Sequence, residues 1–430
     1  MAELLDLSAR IIDERRLDAR AVRITNELSE VDDRIAMIES FSNVVVIDTD
    51  DGLLLFDASG KATAGGVIES LRAWSDAPVH TLVYTHGHVD HVGGSGALVA
   101  DGRARGHRDP AVVGHENVQV RFDRYRATDG WNQAINARQF GGTRQASGAM
   151  LDGERFLPDD VAECSTTFTD RSGLRVGDVR LELRHARGET DDHAWAWLPE
   201  QRAIAVGDFL VWAFPNAGNP QKVQRYPGEW AAALREMAAL EPELLLPAHG
   251  LPIGGRERIA DVLDTIAGAL EGLVADVVEA MNAGATLDEI VHSVRVDPDV
   301  LQLPFLRPTY DEPEFIVRNI WRLYGGWWDG DPAQLKPAPK ADLATELAEL
   351  SGGVGALVGR ALGLSEAGDH RLACHLIELA VQAAPTDVEA HEARSQVYEA
   401  RRRTETSLMA KAIYRTAASE SAAQVAGDAG

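Results

Sequence analysis

The sequence predicts an α/β sandwich with helices on its outer faces, followed by an all-helical C-terminal region. Three observations predict it. Short apolar runs rich in β-branched residues recur between residues 43 and 247, with helical periodicity between them. After about residue 255 the strand signals stop and amphipathic helical patterns take over. The chain has 430 residues, 45% of them hydrophobic, which is enough for a large core and too long for one ordinary domain. The expected division is an α/β domain over 1–255, a helical connection with an aromatic hinge over 256–340, and a helical domain over 341–430.

The first strands are read in 43–57, NVVVIDTDDGLLLFD, where two apolar runs flank the turn signal Asp50-Asp51-Gly52 and form a hairpin. Val67, Ile68, Leu71 and Trp74 then fall at helical spacing, which predicts a helix over 63–74. A short strand from His80 to Tyr84 follows. Residues 100–160, rich in Arg, Asn, Gly and Gln, read as irregular, and a segment of that length without clear elements usually carries function. Strands return at 179–185, 194–198 and 203–207, a helix at 228–240, and a strand at 243–247 just before His249. A long amphipathic helix is expected over 257–283, and a second one capped by Thr286. A Pro-rich, aromatic stretch runs from Leu303 to Pro339. From 341 to 420 the pattern is helical and weakly tetratricopeptide-like, with turns at Gly368-Asp369 and Ala384-Pro385-Thr386 and too few repeats for a solenoid. The last fourteen residues read as a frayed tail.

Charge narrows the function. The 42 Lys and Arg against 67 Asp and Glu give a formal charge of −25, a surface that repels phosphate backbones and anionic lipid. Nucleic acid is therefore an unfavourable partner. Cys164 and Cys374, far apart, provide neither a disulfide framework nor a thiolate metal cage. The N-terminal segment is amphipathic and charged, without the pattern of a signal peptide, and no stretch approaches the length of an apolar membrane span. A cytoplasmic protein is expected.

The strongest local signal is Thr85-His86-Gly87-His88-Val89-Asp90-His91, followed by Val92-Gly93-Gly94. It places four potential ligands at the C-terminal end of a strand. Alternation along the strand lets His86 and His88 face one metal, and a turn then lets Asp90 and His91 reach a second. Imidazole and carboxylate suit zinc and similar divalent ions. A His-rich surface loop is the bland alternative, but such clustering of the 13 histidines directly after a buried strand argues against it.

This H-x-H-x-D-H pattern resembles the signature of the metallo-β-lactamase superfamily. The resemblance implies three more ligands from later strands, and Glu189 in Gly188–His193, Asp208 nineteen residues on, and His249 stand in the matching places. It thus implies one metal at His86, His88 and Glu189, a second at Asp90, His91 and His249, and Asp208 as the bridge. It also implies a catalytic role for Asp90. His185 and His193 are rivals to Glu189, with His193 better read as a residue that orients a ligand. Glutamate at position 189 resembles the type III alkylsulfatases, which carry a helical dimerisation domain after the catalytic one. The segments His115-Glu116-Asn117-Val118 and Trp321 to Gly330 are similar to further stretches of that family. Asp208, where the family has Glu, and the altered segment Asn216–Lys222 are departures.

The resemblance implies a metallo-β-lactamase-like catalytic domain holding two divalent ions, zinc being the expected metal. Hydroxide generated there would cleave an alkyl sulfate ester. The expected substrate is a small ester, anionic with an apolar tail, and the expected assembly a homodimer. Candidate anion contacts are Asn117, Arg138, Arg144, Asn216 and Lys222, with His115 as a general acid; for each, an ordinary surface or fold-supporting role is the competing reading. Trp195 and Trp197 have strand spacing and read as packing, whereas Trp131 and Trp212 are candidates to wall a pocket. Two other readings remain: hydrolysis of a lactone, thioester or phosphodiester at the same centre, and a non-catalytic scaffold built on the C-terminal helices.

Overall fold

The computed structural model describes residues 2–140 and 155–428. Strands β1 (Leu28–Asp32), β2 (Ile35–Ile38), β3 (Val44–Thr49), β4 (Gly52–Phe56), β5 (Val79–Val83), β6 (Ala111–His115) and β7 (Thr166–Phe168) form one sheet, side by side in chain order. Strands β8 (Arg171–Val176), β9 (Val179–His185), β10 (Ala194–Leu198), β11 (Ala203–Gly207), β12 (Leu244–Pro247) and β13 (Ile253–Gly254) form the other. The β3–β4 pair is the expected antiparallel hairpin, while β4–β5 and β11–β12 are parallel. Gly52 closes the hairpin at φ +120°, and a Cβ there would lie 2.6 Å from the Pro78 carbonyl oxygen, so only glycine fits the turn.

The continuous apolar runs of β2, β3 and β4 arise because both faces are buried, and residue parity sorts them into two cores. Ile35, Met37, Val45, Ile47, Leu54 and Phe56 join Val179, Leu181 and Leu183 of the second sheet in one core. Ala36, Ile38, Val44, Val46, Leu53 and Leu55 face the other way, onto Val67 and Leu71 of the helix Ala64–Trp74 and Val118 and Phe122 of the helix Asn117–Ala127. Ile259, Val262, Leu263, Ile266, Leu270, Leu273 and Val277 of the helix Arg256–Asn282 are buried at 3.6-residue spacing, in the core that also holds Trp230 and Leu234 of the helix Pro227–Ala239. Each such side chain contributes roughly 1.5–3 kcal/mol of burial. Thr286 caps the helix Leu287–Ser293 in a capping box with Glu289.

By packing, the described residues divide into one compact unit of 2–133 with 155–326 and a second of 134–140 with 327–428. By packing, the Arg256–Asn282 helix goes with the first unit, because it buries its apolar stripe in that unit's core. The second unit contains the helices Lys340–Ser351, Val354–Glu366, His370–Ala383, Val388–Thr404 and Leu408–Asp428, around Leu357, Ala361, Ile377, Ala393 and Val397. The turns expected at 368–369 and 384–386 separate its helices. Asp369 and Asp387 cap the helices that follow, accepting from the Leu372 and Ala390 N–H groups.

Two expectations fail. Residues 100–160 are not irregular where described, because the helices Ser95–Ala104, Asn117–Ala127 and Asp129–Gln139 and strand β6 occupy most of 100–139. Arg121 sits among the buried positions of the second of these helices and hides its apolar periodicity. The tail is helical to Asp428 rather than frayed, and Ser421 is buried there, within hydrogen-bond distance of His391 and Arg394. No single described helix is long and apolar enough to cross a membrane.

Candidate metal centre

The histidine cluster lies beyond the end of β5 and is held by a buried carboxylate. Asp57, just past β4, accepts from the Thr85 N–H and Thr85 hydroxyl, each at 2.8 Å, and from His91 Nδ1 at 2.8 Å. With Nδ1 the protonated nitrogen, His91 Nε2 is left as a lone-pair donor facing the cluster. The chain then turns through Gly93 and Gly94, where a Cβ would lie 2.4 Å from the Val89 oxygen and 2.1 Å from the Ala58 oxygen. On the other side, the Asp192 carboxylate accepts from the Gly87 N–H at 2.8 Å and from Arg121 Nε at 2.9 Å, bracing the peptide between His86 and His88.

Around this loop the structure gathers two sets of donors, His86 with His88, Glu189 and Asp208, and Asp90 with His91 and His249. Asp208 divides its oxygens between them. Oδ2 is 4.0 Å from His86 Nε2, whereas Oδ1 is 3.3 Å from His91 Nε2 and 3.5 Å from His249 Nε2. His86 Nε2 lies 2.8 Å from His88 Nδ1, which is 3.6 Å from Glu189 Oε1. Asp90 Oδ2 is 3.6 Å from His91 Nε2 and 3.4 Å from His249 Nε2. Donors around a tetrahedral zinc with bonds near 2.0–2.1 Å are about 3.3 Å apart, so these spacings fit a cation in each set. His91 Nε2, Glu189 Oε2 and Asp208 Oδ1 are buried without a hydrogen-bond partner, an unfavourable state that a bound cation relieves. The residues present therefore fit divalent metal ions.

The electrostatics of the protein alone follow the same division. Burial, the neighbouring histidines and, for His88, Arg121 and Arg225 push the imidazoles of His86 and His88 well below their usual range. For His91 and His249 burial acts in the same direction, but the facing carboxylates outweigh it and raise both. Asp208 and Asp90 are held low by histidines against the effect of burial. Burial pushes the Glu189 carboxyl up to about 8, against the pull of Arg225 and with Asp208 adding to the rise.

Of the remaining sequence candidates, the structure brings some to the centre and not others. Asn216 Nδ2 donates to Glu189 Oε1 at 2.6 Å. Lys222 interacts electrostatically with Asp90 and Glu189, and its ammonium lies 5.7 Å from the Phe156 ring; burial and Arg225 lower its pKa to about 8. Asn117 Nδ2 donates to the Asp191 carbonyl and supports the 188–193 loop rather than pointing a free amide at the ligands. His115 has both ring nitrogens engaged, Nε2 with the Thr169 carbonyl and Nδ1 as acceptor of the Asn117 N–H, and it stacks on His185 at 3.8 Å. No ring nitrogen of His115 is left for proton transfer, so the geometry does not carry the expected general acid. Arg138 is half-buried in the second compact unit, and Arg144 lies outside the described residues. His193 is buried, stacks on Phe209, and accepts the Asp208 N–H at Nε2. Trp195 is core, as expected. Trp212, expected as a pocket wall, is core as well, donating to the Leu251 carbonyl, and Trp131 is largely exposed.

Sequence reasoning missed Arg225. Its Nη1 lies 2.5 Å from Glu189 Oε1 and donates to the Asn216 carbonyl at 2.8 Å, with the whole residue 2% exposed. It missed Asp57 and the Arg121–Asp192 brace as well. Asp57, at the end of a buried strand beside the histidine strand, was the one with a readable signal.

Comparison with known proteins fits this geometry. Residues 37–249 match the family model of the metallo-beta-lactamase superfamily, and residues 286–424 match that of the alkyl sulfatase dimerisation region. The chain is thus a metallo-β-lactamase-fold protein. Within that fold it is similar to alkylsulfatases, and its C-terminal region matches their dimerisation model. It is 28% identical over 327 residues to a linear primary-alkylsulfatase of Pseudomonas sp., covering 74% of this chain and 60% of that one. It is 25% identical over 393 residues to an (R)-specific secondary-alkylsulfatase of Pseudomonas sp., covering 83% and 56%. The chain thus spans somewhat over half the length of these relatives. The solved structure of a stereoselective inverting sec-alkylsulfatase from Pseudomonas sp. superposes with a TM-score of 0.81 at 23% identity, over 92% of this chain and 65% of that one, a likeness of fold.

Proposed function

We propose that the chain is a dinuclear metallohydrolase that cleaves alkyl sulfate esters. One observation carries the reading: the two Asp208 oxygens face two separate donor sets. His86, His88 and Glu189 would hold one ion, Asp90, His91 and His249 the other, with Asp208 between them. Zinc suits these nitrogen and oxygen donors. Two divalent ions, when bound, supply Lewis acidity and bring the pKa of a coordinated water toward neutrality.

The chain's own residues prepare that chemistry. Asp57 fixes the His91 tautomer, His193 holds the Asp208 backbone, and Asp192 holds the Gly87 peptide. Lys222, Arg225 and Asn216 gather positive charge and amide dipole beside Glu189, in an otherwise strongly acidic protein. This favours an anionic ester over a neutral lactone. The similarity to alkylsulfatases supports sulfate as the anion. We further propose that residues 1–255 carry the chemistry, 256–340 connect, and 341–430 pair two copies of the chain, as the dimerisation match suggests.

The test is metal analysis of the purified protein with a hydrolysis screen of alkyl sulfates of several chain lengths against lactone, thioester and phosphodiester controls. About two ions per chain with alkyl sulfate turnover is expected. His86→Ala and Asp208→Ala should each lose metal and activity while staying folded; unchanged metal content in both overturns the ligand assignment. Two ions without sulfate turnover transfers the activity to another ester.

A further inference from the structure

The two halves of the centre lie in opposite electrostatic surroundings. Glu189 Oε1, the oxygen 3.6 Å from His88 Nδ1, is also the one that meets Arg225 Nη1 at 2.5 Å and Asn216 Nδ2 at 2.6 Å. Arg225 cannot easily swing away, because the same Nη1 is tied to the Asn216 carbonyl and the side chain is buried. A cation on this side must share Glu189, the one carboxylate of this donor set not held in common among the described residues, with a fixed guanidinium, and it feels that positive charge directly. Arg121 adds to the positive field at His88.

The other half has the reverse setting. Asp90 Oδ2 faces the imidazole nitrogens of His91 and His249, and the Asp57 carboxylate lies 2.8 Å behind His91. A carboxylate behind a ligating imidazole increases its donor strength. Lys222 acts on both Asp90 and Glu189, so it does not separate the halves.

We propose that the Asp90–His91–His249 half binds a divalent cation more tightly than the His86–His88–Glu189 half, and that Arg225 sets the difference by pairing with Oε1 of the Glu189 carboxylate, which leaves a cation only Oε2 and the field of the guanidinium. This rests on the dinuclear reading above. Arg225 is a positioning residue here, acting through Glu189. Loading is then sequential: at limiting metal the chain carries a single ion, on the His249 side.

The experiment is calorimetric titration of the metal-free full chain with Zn²⁺, in the presence of a competing chelator of known affinity. Two unequal binding events are expected, separated by about tenfold or more, the scale of outer-shell effects on metal affinity. Glu189→Gln should remove the weaker event and keep the tighter one, and His249→Ala should do the reverse. Arg225→Gln should strengthen the weaker event by about tenfold and leave the tighter one in place. Arg225→Lys, which keeps the charge without the paired geometry, should give a smaller gain and serves as the measurement if the glutamine variant does not fold. Equal affinities in the parent protein overturn the proposal, as does loss of the tighter event in Glu189→Gln or an unchanged or weakened second event in the Arg225 variants. Absence of zinc binding in the parent protein instead overturns the dinuclear reading itself.

Discussion

Asp192 tests whether the peptide between the first two histidines is held by a buried charge. Its carboxylate is fully buried, with Oδ2 accepting from Gly87 N–H and Arg121 Nε and Oδ1 2.8 Å from Arg121 Nη2. Burial would raise its pKa, but Arg121, Thr190 and the Gly87 amide outweigh that and bring it down to about 2 from 3.8. At 1.36 kcal/mol per unit, that displacement amounts to about 2 kcal/mol of folding free energy. Removing one partner of a buried pair costs roughly 3–5 kcal/mol, and Asp191 remains beside Arg121 to absorb part of it. Asp192→Asn should therefore cost about 2–3 kcal/mol, even though its amide oxygen can still accept the Gly87 N–H. The sign follows from the depressed pKa: the contribution is complete above about pH 4 and is lost only as pH falls through about 2. Urea unfolding of the metal-free protein, followed by tryptophan fluorescence at several pH values from 8 down to 5, should show a constant difference between variant and parent. A loss below about 0.5 kcal/mol, the range of ordinary surface substitutions, would refute the brace. So would a difference that varied strongly across that range.

Further expectations concern neighbouring residues. Asp57→Asn removes the charged acceptor of His91 Nδ1 and should weaken zinc binding on the His249 side by roughly 10–100-fold in chelator competition; unchanged affinity would show that the carboxylate does not tune the ligand. Gly207, at φ +54°, leads directly into Asp208, and a Cβ there would lie 2.8 Å from Thr85 Cβ and His193 Nε2. Gly207→Ala should lower stability by about 1–3 kcal/mol, read in thermal melts, and a neutral result would refute the close approach. His115→Gln should destabilise the fold by about 1–2 kcal/mol and leave the pH profile of ester turnover in shape; loss of its alkaline limb would instead make His115 the general acid.

Legibility in the sequence followed burial. Strands β3, β4, β5, β9, β10 and β11 were readable because at least one face, and for several both, is covered, which leaves unmistakable apolar runs. Strand β8 was not, because it ends the second sheet and carries Arg171, Ser172, Gly173 and Arg175, the polar dressing of an edge. The Asn117–Ala127 helix was hidden by the very residue that makes it useful: Arg121 occupies a core position because Asp191 and Asp192 wait for it on another loop. No local pattern announces a charge whose partner lies seventy residues away. The C-terminal tail failed differently, since its Ala- and Ser-rich sequence packs through small residues such as Ala418 and Ser421 and shows no apolar stripe.

The same distinction separates the ligands from their supports. The candidate ligands share a chain-local signature, each just beyond a strand end: β5 for the histidine cluster, β9 for Glu189, β11 for Asp208 and β12 for His249. Parallel pairing explains why those ends meet. β4 beside β5 puts Asp57 next to Thr85 and His91, and β11 beside β12 puts Asp208 next to His249. Asn43 then ties the two sheets at this edge, its N–H donating to the Ala248 carbonyl and its side chain to the Pro247 and Gly250 carbonyls. Arg225 has no such address, standing alone in a coil between Gln224 and Tyr226. What distinguishes it is that a guanidinium 2% exposed must have an acid to face, and the acid it found is a candidate metal ligand. Motif reading therefore finds the donors, whereas burial of an unexpected charge finds the residue proposed to weaken the Glu189 half of the centre.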